Sequence, residues 1–178
     1  MSMVMPVIVG AGPAGVRAAE ALVAQGLRPV VLDEAPRAGG QIYRQPPQGF
    51  QRPKHELYGF EHRKADAVHR AMAALLPQVD YRPGSLVWNV DGKTLDVLQD
   101  GVSTAVPYTH LILATGATDR VLPFPGWLTP GVYTLGGSQV ALKYQGCAIG
   151  TRVVFMGTGP LLYLVAYQYA KALSLIHI

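Results

Sequence analysis

Three glycines near the amino terminus have the spacing of a phosphate-binding turn. Gly10, Gly12 and Gly15 follow the apolar run Pro6–Val9 and open a helical pattern that continues to Gly26. Gly10 allows a tight turn, Gly12 lets the backbone approach a pyrophosphate because it has no Cβ atom, and Gly15 allows close helix–strand packing. A helix that begins here offers free N–H groups and a partial positive charge to phosphates.

An acidic residue completes the pattern. A second apolar run, Pro29–Leu32, ends on Asp33 and Glu34, and an acid at this position accepts hydrogen bonds from a ribose hydroxyl pair. Asp33 lies 18 residues after Gly15, close to the usual spacing of about 20. Glu34 takes its place if the loop differs by one residue. The order of strand, turn, helix, strand and acid predicts a dinucleotide site, and the alternative is a structural glycine turn.

The composition is typical of a buried α/β core. The chain has 178 residues, of which 49% are hydrophobic and 15% are charged, enough for one ordinary domain or a little more. The net charge of +4 arises between Arg37 and Arg70, where seven Lys and Arg accompany three Asp and Glu. This segment is either a solvated loop or a surface that faces an anionic cofactor or substrate. No basic helix or aromatic platform accompanies it, so we expect no nucleic-acid partner.

Several other classes of protein are disfavoured. Cys147 is the single cysteine, so the chain by itself forms neither a disulfide nor a cysteine metal site, and we expect no metal. No apolar stretch approaches the 18 or so residues of a membrane span. The amino terminus also lacks the charged region of a signal peptide. We therefore expect a cytoplasmic protein without an integral membrane segment.

The rest of the chain predicts one further helix and a small β region. His62–Leu76 has an amphipathic pattern, whereas Arg44–Phe60 is rich in proline, glycine and charge and is predicted to be irregular. Asp-Gly pairs separate short strand-like runs, which favours hairpins. The predicted antiparallel meander consists of Leu86–Val90, Thr94–Gln99 and Val102–Val106. The nearly apolar run His110–Ala114 is predicted to be a central strand of the main sheet, and Gly116 after it permits close approach of a ligand.

A second glycine motif follows. The apolar run Arg152–Met156 predicts a strand, and a helix is predicted over Leu161–Ala172. Leu162 replaces the third glycine, so helix–strand packing is expected to be looser. The segment is either a working dinucleotide site or a packing relic. Its candidate binding residues are Gly157, Gly159, Pro160 and Leu161.

Four segments together resemble flavoproteins with two dinucleotide-binding domains: GAGPAG, DEAPRAGGQ, LILATGATDR and GTGP. The resemblance covers nearly all of Val7–Ala172. Within that group, VLDEAPRAGGQIYRQ, ATGATDRVLPFPGW and GTGPLLYLVAYQYAKA are most similar to the larger, alpha subunits of heteromeric opine oxidases, hydrogen cyanide synthases and dye-linked proline dehydrogenases. Those enzymes oxidise C–N bonds of amino or imino acids.

The resemblance implies an α/β fold and an FAD site. Residues 1–125 would form a Rossmann-like FAD-binding domain with a parallel sheet, helices and a small antiparallel meander. Residues 126–172 would begin an inserted NAD(P)-type Rossmann domain. The implied FAD-binding residues are Gly10, Gly12, Pro13, Ala14, Gly15, Asp33, Glu34, Arg37, Gly39, Gly40, Gln41, Val87, Ala114, Thr115 and Gly116.

The implied activity is FAD-dependent oxidation of an amino- or imino-acid-like substrate by an enzyme whose other component is a smaller oxidase subunit. The alternatives are an NAD(P)H-dependent flavin reductase and an inactive fragment with residual nucleotide binding. The disulfide-reductase branch uses a cysteine pair near the flavin, which this sequence lacks, so that branch is disfavoured. No residue is identified as a catalytic base.

The carboxyl-terminal residues Leu173–Ile178 interrupt the last helical pattern. The codons CTG TCT CTT ATA CAC ATC are able to encode them, and this string matches a transposase end sequence used to prepare sequencing libraries. We therefore expect residues 173–178 to be a non-native tail on an incomplete chain.

Overall fold

The computed structural model describes residues 5–50 and 52–174. The chain separates into two compact units. Unit 1 comprises Met1–Tyr43 and Lys64–Gly116, and unit 2 comprises Arg44–Arg63 and Ala117–Ile178. The assignment of residues 1–125 and 126–172 to FAD and NAD(P) domains stays a prediction, because contacts do not report which ligand a unit binds. Of the expected tail, residues 175–178 lie outside the described residues.

Unit 1 is built on a four-stranded parallel sheet. Its strands are β1 (Pro6–Val9), β2 (Val30–Asp33), β3 (Asp80–Pro83) and β7 (His110–Leu113). They lie in the order β3-β2-β1-β7, and Ile8 is in register with Val31 and Ile112. Val7 and Ile8 of β1 and Val30 and Val31 of β2 are buried, as expected for strands that are covered on both faces.

Two helices accompany this sheet. Helix α1 (Pro13–Ala24) connects β1 to β2, and α3 (His62–Leu75) precedes β3. In α3 the buried side chains recur every three or four residues, which places them on one helix face. They are Ala65, Val68, Met72 and Leu75. Both helices agree with the sequence prediction.

The predicted meander is present as a second sheet in unit 1. Strands β4 (Ser85–Asp91), β5 (Thr94–Gln99) and β6 (Val102–Pro107) are antiparallel. Asp100 and Gly101 connect β5 to β6 with φ of 50° and 79°, the positive values that a two-residue type I′ hairpin turn requires. One buried cluster joins the two sheets and contains Val7, Val30, Leu32, Leu95, Val97 and Val106.

In unit 2, three helices lie among the described residues. They are α2 (Lys54–Tyr58), which a 3-10 turn extends to Glu61, then α4 (Leu135–Lys143) and α5 (Pro160–Ser174). The Tyr169 hydroxyl of α5 donates a 2.7 Å hydrogen bond to the carbonyl oxygen of Ser138 in α4. Their shared core contains Leu142, Val165, Tyr169 and Ala172. None of the helices in the described part of the chain is long and apolar enough to span a membrane.

Two strand predictions are wrong within the described residues. Strand β7 pairs only with β1 and forms an edge of the sheet, where Leu113 is 68% exposed, so it is not central. Arg152–Met156 forms no strand, and Val154 is 93% exposed. Both errors have the same cause. Apolar character predicts burial, but strand formation and strand position depend on a distant neighbour that supplies hydrogen bonds.

The segment before α3 is more ordered than predicted. Arg44–Phe60 contains α2, whose Leu57 and Tyr58 are buried and which contacts α5. Proline and glycine bracket this short helix, so its composition suggested a loop although Pro53 suits a helix start. The pattern also did not identify β3, which has polar residues and forms because β2 offers it an edge.

Lys143 is a buried charge at the end of α4. It is 1% exposed, and this burial lowers its pKa from 10.5 to about 8, although the negative charge of Glu61 opposes the change. In the unfolded chain the amine stays protonated up to pH 10.5 or so. Between pH 8 and 10.5 the unfolded chain therefore binds more protons, and the free energy of unfolding rises with pH.

We predict that Lys143→Met removes this rise. The wild-type protein should gain up to ~3 kcal/mol from this group between pH 8 and 10.5, whereas the variant should lack that contribution. Urea unfolding at several pH values measures both proteins. The matched control is Lys171→Met, which changes an exposed lysine of α5 and should keep the wild-type slope. Equal slopes in Lys143→Met and the wild type would contradict the prediction.

Candidate functional site

The glycines of the first motif allow α1 to approach β1 closely. A Cβ atom on Gly15 would overlap the carbonyl oxygen of Gly10 and lie 3.4 Å from the Cβ atom of Ala114. A Cβ atom on Gly10, whose φ is +103°, would overlap the carbonyl oxygen of Ala114. Packing within unit 1 therefore requires glycine at both positions.

Gly12 has a different role from its two neighbours. It precedes α1 in an extended conformation, with Pro13 at the first helical position. A Cβ atom on Gly12 would make only an ordinary contact, 3.6 Å from Cα of Gly40. The N–H groups of Ala14 and Gly15 lie in the first turn, where a helix has no carbonyl of its own to accept them. The first turn contains no acidic residue, so its positive end is suited to an anion.

Asp33 supports the same turn from the end of β2. Its Oδ2 atom accepts a 2.5 Å hydrogen bond from the Ala11 N–H, and Oδ1 accepts a 2.7 Å bond from the Ala35 N–H. The residue is 6% exposed. Both carboxylate oxygens thus accept backbone N–H groups, and a carboxylate has about four acceptor positions. Glu34 is exposed. This placement favours Asp33 over Glu34 as the ribose-binding acid, an assignment that remains a proposal.

The second glycine pair lies directly against the turn. The Gly39 N–H donates a 2.9 Å hydrogen bond to the carbonyl oxygen of Ala11. A Cβ atom on Gly40 would lie only 3.0 Å from Cα of Gly12. The backbones of the two glycine segments are thus in contact. This loop also contains two further predicted residues, the half-buried Arg37 and the exposed Gln41.

A histidine holds the far end of this loop, which we call the nucleotide loop (residues 37–43). The carbonyl oxygen of Tyr43 accepts a 2.8 Å hydrogen bond from Nε2 of His69 in α3. Because a carbonyl only accepts, Nε2 carries the proton. A Cβ atom on Gly39 would lie 2.9 Å from the same nitrogen. Nothing in the local sequence distinguishes His69 from a solvated histidine, and the signal becomes clear only when α3 is placed beside the loop.

The end of β7 contributes backbone to the site. The Ala114 N–H donates a 2.8 Å bond to the carbonyl oxygen of Val9, which extends the ladder to the glycine turn. Thr115 and Gly116 follow and are exposed. Gly116 has φ of +73°, and nothing lies within 4 Å of a Cβ atom built on it. Ala114 therefore supports the turn by contact, whereas Thr115 and Gly116 line open space beside it.

Val87 is predicted to contact the cofactor, but its side chain packs against the core. Its side chain packs against the core cluster that joins the two sheets, and it pairs with Val97 of β5. A register shift follows between Val87 and Asn89. The side chain is thus engaged in the core, and only the main chain of Val87 remains for a cofactor contact.

The second glycine motif lies in unit 2 and is less complete. Gly157 and Gly159 have φ of +148° and +111°, and Pro160 begins α5. Leu161 is 43% exposed. A Cβ atom on Gly157 would lie 3.9 Å from Cδ1 of Leu162, so the packing is looser than at the first motif. The motif has the turn and the helix start, but no described strand precedes it.

Tyr81 is a candidate functional residue that the sequence analysis did not identify. It lies on β3 in register with Val31 of β2. Its hydroxyl is buried and has no hydrogen-bond partner among the described residues. Burial and, to a smaller extent, the negative charge of Asp33 raise the pKa of this hydroxyl above its usual value, which keeps it protonated. In the same part of the chain no group of three or more His, Cys, Asp or Glu is arranged to hold a metal ion.

The comparisons with known proteins agree with this geometry. Residues 5–178 match the family described as pyridine nucleotide-disulphide oxidoreductase. The chain belongs to that family. An opine oxidase subunit from Agrobacterium tumefaciens strain Ach5 is 40% identical over 175 residues, which is 93% of this chain and 34% of that protein. The hydrogen cyanide synthase component HcnB of Pseudomonas aeruginosa is 41% identical over 168 residues, 94% of this chain and 36% of that protein.

A solved structure supports the fold. The chain is similar to L-proline dehydrogenase from P. horikoshii with a TM-score of 0.76 and 23% identity, over 95% of this chain and 34% of that one. The expected fold, a parallel sheet with helices and an antiparallel meander, is thereby confirmed. The chain spans about a third of the length of these relatives.

FAD is the cofactor that this family implies, and NAD(P) is a second cofactor compatible with it. The first motif fits a dinucleotide in three respects. Gly12 presents a surface without a side chain, the first turn of α1 presents N–H donors, and Asp33 ends the second strand. These features match the pyrophosphate and ribose of FAD.

The contrast between two glycines gives a first prediction for this site. Gly15→Ala should lower the free energy of unfolding by roughly 1–3 kcal/mol or more, because its methyl group overlaps the Gly10 carbonyl. Gly12→Ala should change it by less than ~1 kcal/mol, because the conformation suits alanine and the new contact is ordinary. Urea unfolding of both variants measures the difference, and similar losses in the two would contradict it.

The hydrogen bond at the end of the nucleotide loop gives another prediction. His69→Leu should lower the free energy of unfolding by ~1–3 kcal/mol, because the carbonyl of the buried residue Tyr43 loses its hydrogen-bond donor. Hydrogen exchange of residues 37–43 should become faster in that variant, and His69→Gln should restore much of the protection through its amide donor. His62→Leu is the control, because Nδ1 of His62 contacts the Gly59 carbonyl instead. Equal exchange rates in His69→Leu and the wild type would refute the contact.

Proposed function

We propose that this chain carries the FAD-binding part of an oxidoreductase that acts on the C–N bond of an amino or imino acid. The observation that supports it best is the contact between the two glycine segments of unit 1. Gly12 and Gly40 approach each other without side chains, directly beside the start of α1 and the Asp33 carboxylate. Packing of the turn requires glycine at Gly10 and Gly15 but not at Gly12, where a Cβ atom would make only an ordinary contact, and a bound pyrophosphate accounts for glycine there.

Each part of the site has a separate role in this proposal. The N–H groups of Ala14 and Gly15 bind the pyrophosphate, and Asp33 accepts hydrogen bonds from the ribose. Gly116 leaves space beside the carboxyl end of the sheet. When bound, FAD would supply the redox chemistry, which is acceptance of a hydride equivalent from the carbon beside the substrate nitrogen. The residues of unit 1 bind and orient that cofactor.

The substrate class and a partner are inferred from the relatives. One relative is named as a component of an opine oxidase and another as a component of hydrogen cyanide synthase. Both names describe enzymes with more than one subunit. We infer a small amino- or imino-acid-like substrate and, as partner in the cytoplasm, a smaller oxidase subunit.

A second candidate function rests on unit 2. The segment Gly157–Gly159 leads directly into the start of α5, as the first glycine segment leads into α1. If this motif binds NAD(P)H, the protein is a pyridine-nucleotide-linked flavin reductase. The looser packing at Leu162 favours the first proposal over this one.

FAD binding tests the proposal directly. The purified protein should bind FAD and turn yellow, and Gly12→Ala should weaken binding at least tenfold while the fold is retained, because its methyl group occupies the place of the pyrophosphate. The matched control is Gly150→Ala, a glycine of unit 2 at which a Cβ atom makes only ordinary contacts. Flavin fluorescence measures all three affinities.

Two outcomes would contradict this proposal in different ways. A colourless wild-type protein that does not retain FAD on dialysis would favour a fragment without cofactor. Rapid bleaching of the bound flavin by NADH under anaerobic conditions would favour the reductase. An unchanged flavin spectrum with NADH, together with bleaching by an imino acid or a secondary amino acid such as proline, is the result we expect.

A further inference from the structure

An unpaired hydroxyl lies beside the acid of the nucleotide site. Tyr81 and Val31 are in register on neighbouring parallel strands, so their side chains share one face of the sheet. Asp33 lies two residues after Val31 and therefore points to the same face. Its carboxylate contributes to the electrostatic environment of the Tyr81 hydroxyl. The two polar groups thus share one face of the sheet near the carboxyl end of β2.

Burial of this hydroxyl has a cost that the protein alone does not offset. The oxygen atom of the Tyr81 hydroxyl is shielded from solvent, and no group in the described part of the chain forms a hydrogen bond with it. Buried polar groups are nearly always paired, and each exception calls for an explanation. Phenylalanine would fill the same space without the unpaired group. The position therefore favours a tyrosine only if something else meets its hydroxyl.

We propose that the Tyr81 hydroxyl binds the adenosine ribose of the cofactor, next to Asp33. This inference rests on the proposed function, because it concerns the same nucleotide. A ribose has two adjacent hydroxyls, each of which donates and accepts. Asp33 only accepts, so it binds a ribose hydroxyl that donates. The protonated Tyr81 hydroxyl donates to the oxygen of a ribose hydroxyl, which the carboxylate alone is unable to do.

The arrangement also selects the class of nucleotide. A 2′-phosphate at this position would meet the negative charge of Asp33 in a buried setting, where like charges repel strongly. A ribose with two free hydroxyls meets one acceptor and one donor. The pair of Asp33 and Tyr81 therefore fits FAD, ADP and other nucleotides that have an unmodified ribose.

The experiment compares two proteins and two ligands. ADP carries the adenosine ribose and a diphosphate but no flavin, and 2′,3′-dideoxy-ADP lacks both ribose hydroxyls. We expect Tyr81→Phe to weaken ADP and FAD binding by the same factor, roughly three- to tenfold. Removal of the ribose hydroxyls should weaken binding to the variant less than it weakens binding to the wild type. The ratio of these two effects should equal that same factor. Calorimetry measures the affinity of each protein for ADP and for 2′,3′-dideoxy-ADP.

The melting temperature of the ligand-free protein distinguishes a ligand-binding role of the Tyr81 hydroxyl from a structural one. Because Tyr81→Phe removes an unpaired buried hydroxyl, the ligand-free variant should melt at the same temperature as the wild type or at a higher one. A lower melting temperature would mean that the hydroxyl has a partner in the protein, and would overturn the inference. The matched control is Tyr108→Phe, which removes a hydroxyl that donates to the Gly92 carbonyl and should leave both affinities unchanged.

The remaining outcomes are distinguishable. If the wild type binds neither FAD nor ADP, the proposed function fails and this inference fails with it. If the wild type binds both, and Tyr81→Phe binds them equally well, only the role of Tyr81 is overturned. Independent effects of the substitution and of the missing ribose hydroxyls would overturn it as well.

Discussion

The constraint on which unit 1 depends is the close approach of α1 to β1. The helix passes so near the strand that Gly15 lies against the carbonyl of Gly10, and Gly10 lies against that of Ala114. No side chain fits at either contact. This approach fixes the direction in which α1 leaves the sheet, and with it the position of the free N–H groups at its first turn. The ability to hold an anion follows from the packing.

Asp33 connects this turn to the rest of the sheet. By accepting N–H groups from Ala11 and Ala35, its carboxylate joins the first glycine segment to the chain that leads to the second. Its burial would be costly without such bonds. The acid thus stabilises the turn, and in the proposed function the same charge selects the nucleotide. Structure and recognition share one group here, so a substitution of Asp33 alone does not separate them.

The two glycine motifs differ in what surrounds them. The first has strands on either side of β1, a second glycine pair against it and an acid at the end of the next strand. The second has two glycines with positive φ before α5, and Leu162 stands where close packing needs glycine. Similar local sequences therefore produce one complete strand–turn–helix motif and one partial motif among the described residues. The difference arises from neighbours that the motif itself does not contain.

Local chemistry was sufficient to predict much of unit 1. The glycine spacing, the alternation of apolar runs and the Asp-Gly turns predicted α1, β1, β2 and the meander, because these features depend on residues close together in the chain. The resemblance of four ordered segments predicted the fold, which the family match and the solved structure confirmed. The binding residues themselves stay predictions, although the structure brings most of them together.

Only the tertiary structure decided the features that depend on distant partners. Strand β7 was expected at the centre but lies at an edge, and Arg152–Met156 forms no strand, because strand pairing is set by neighbours far away in sequence. The same reason explains why the sequence did not predict the contacts of His69 and Tyr81. His69 forms a hydrogen bond with a carbonyl 26 residues earlier in the chain. Tyr81 lies beside Val31 only because of the register of the sheet. The sequence determined which groups are present and the local turns that hold them, and long-range packing determined which of them meet.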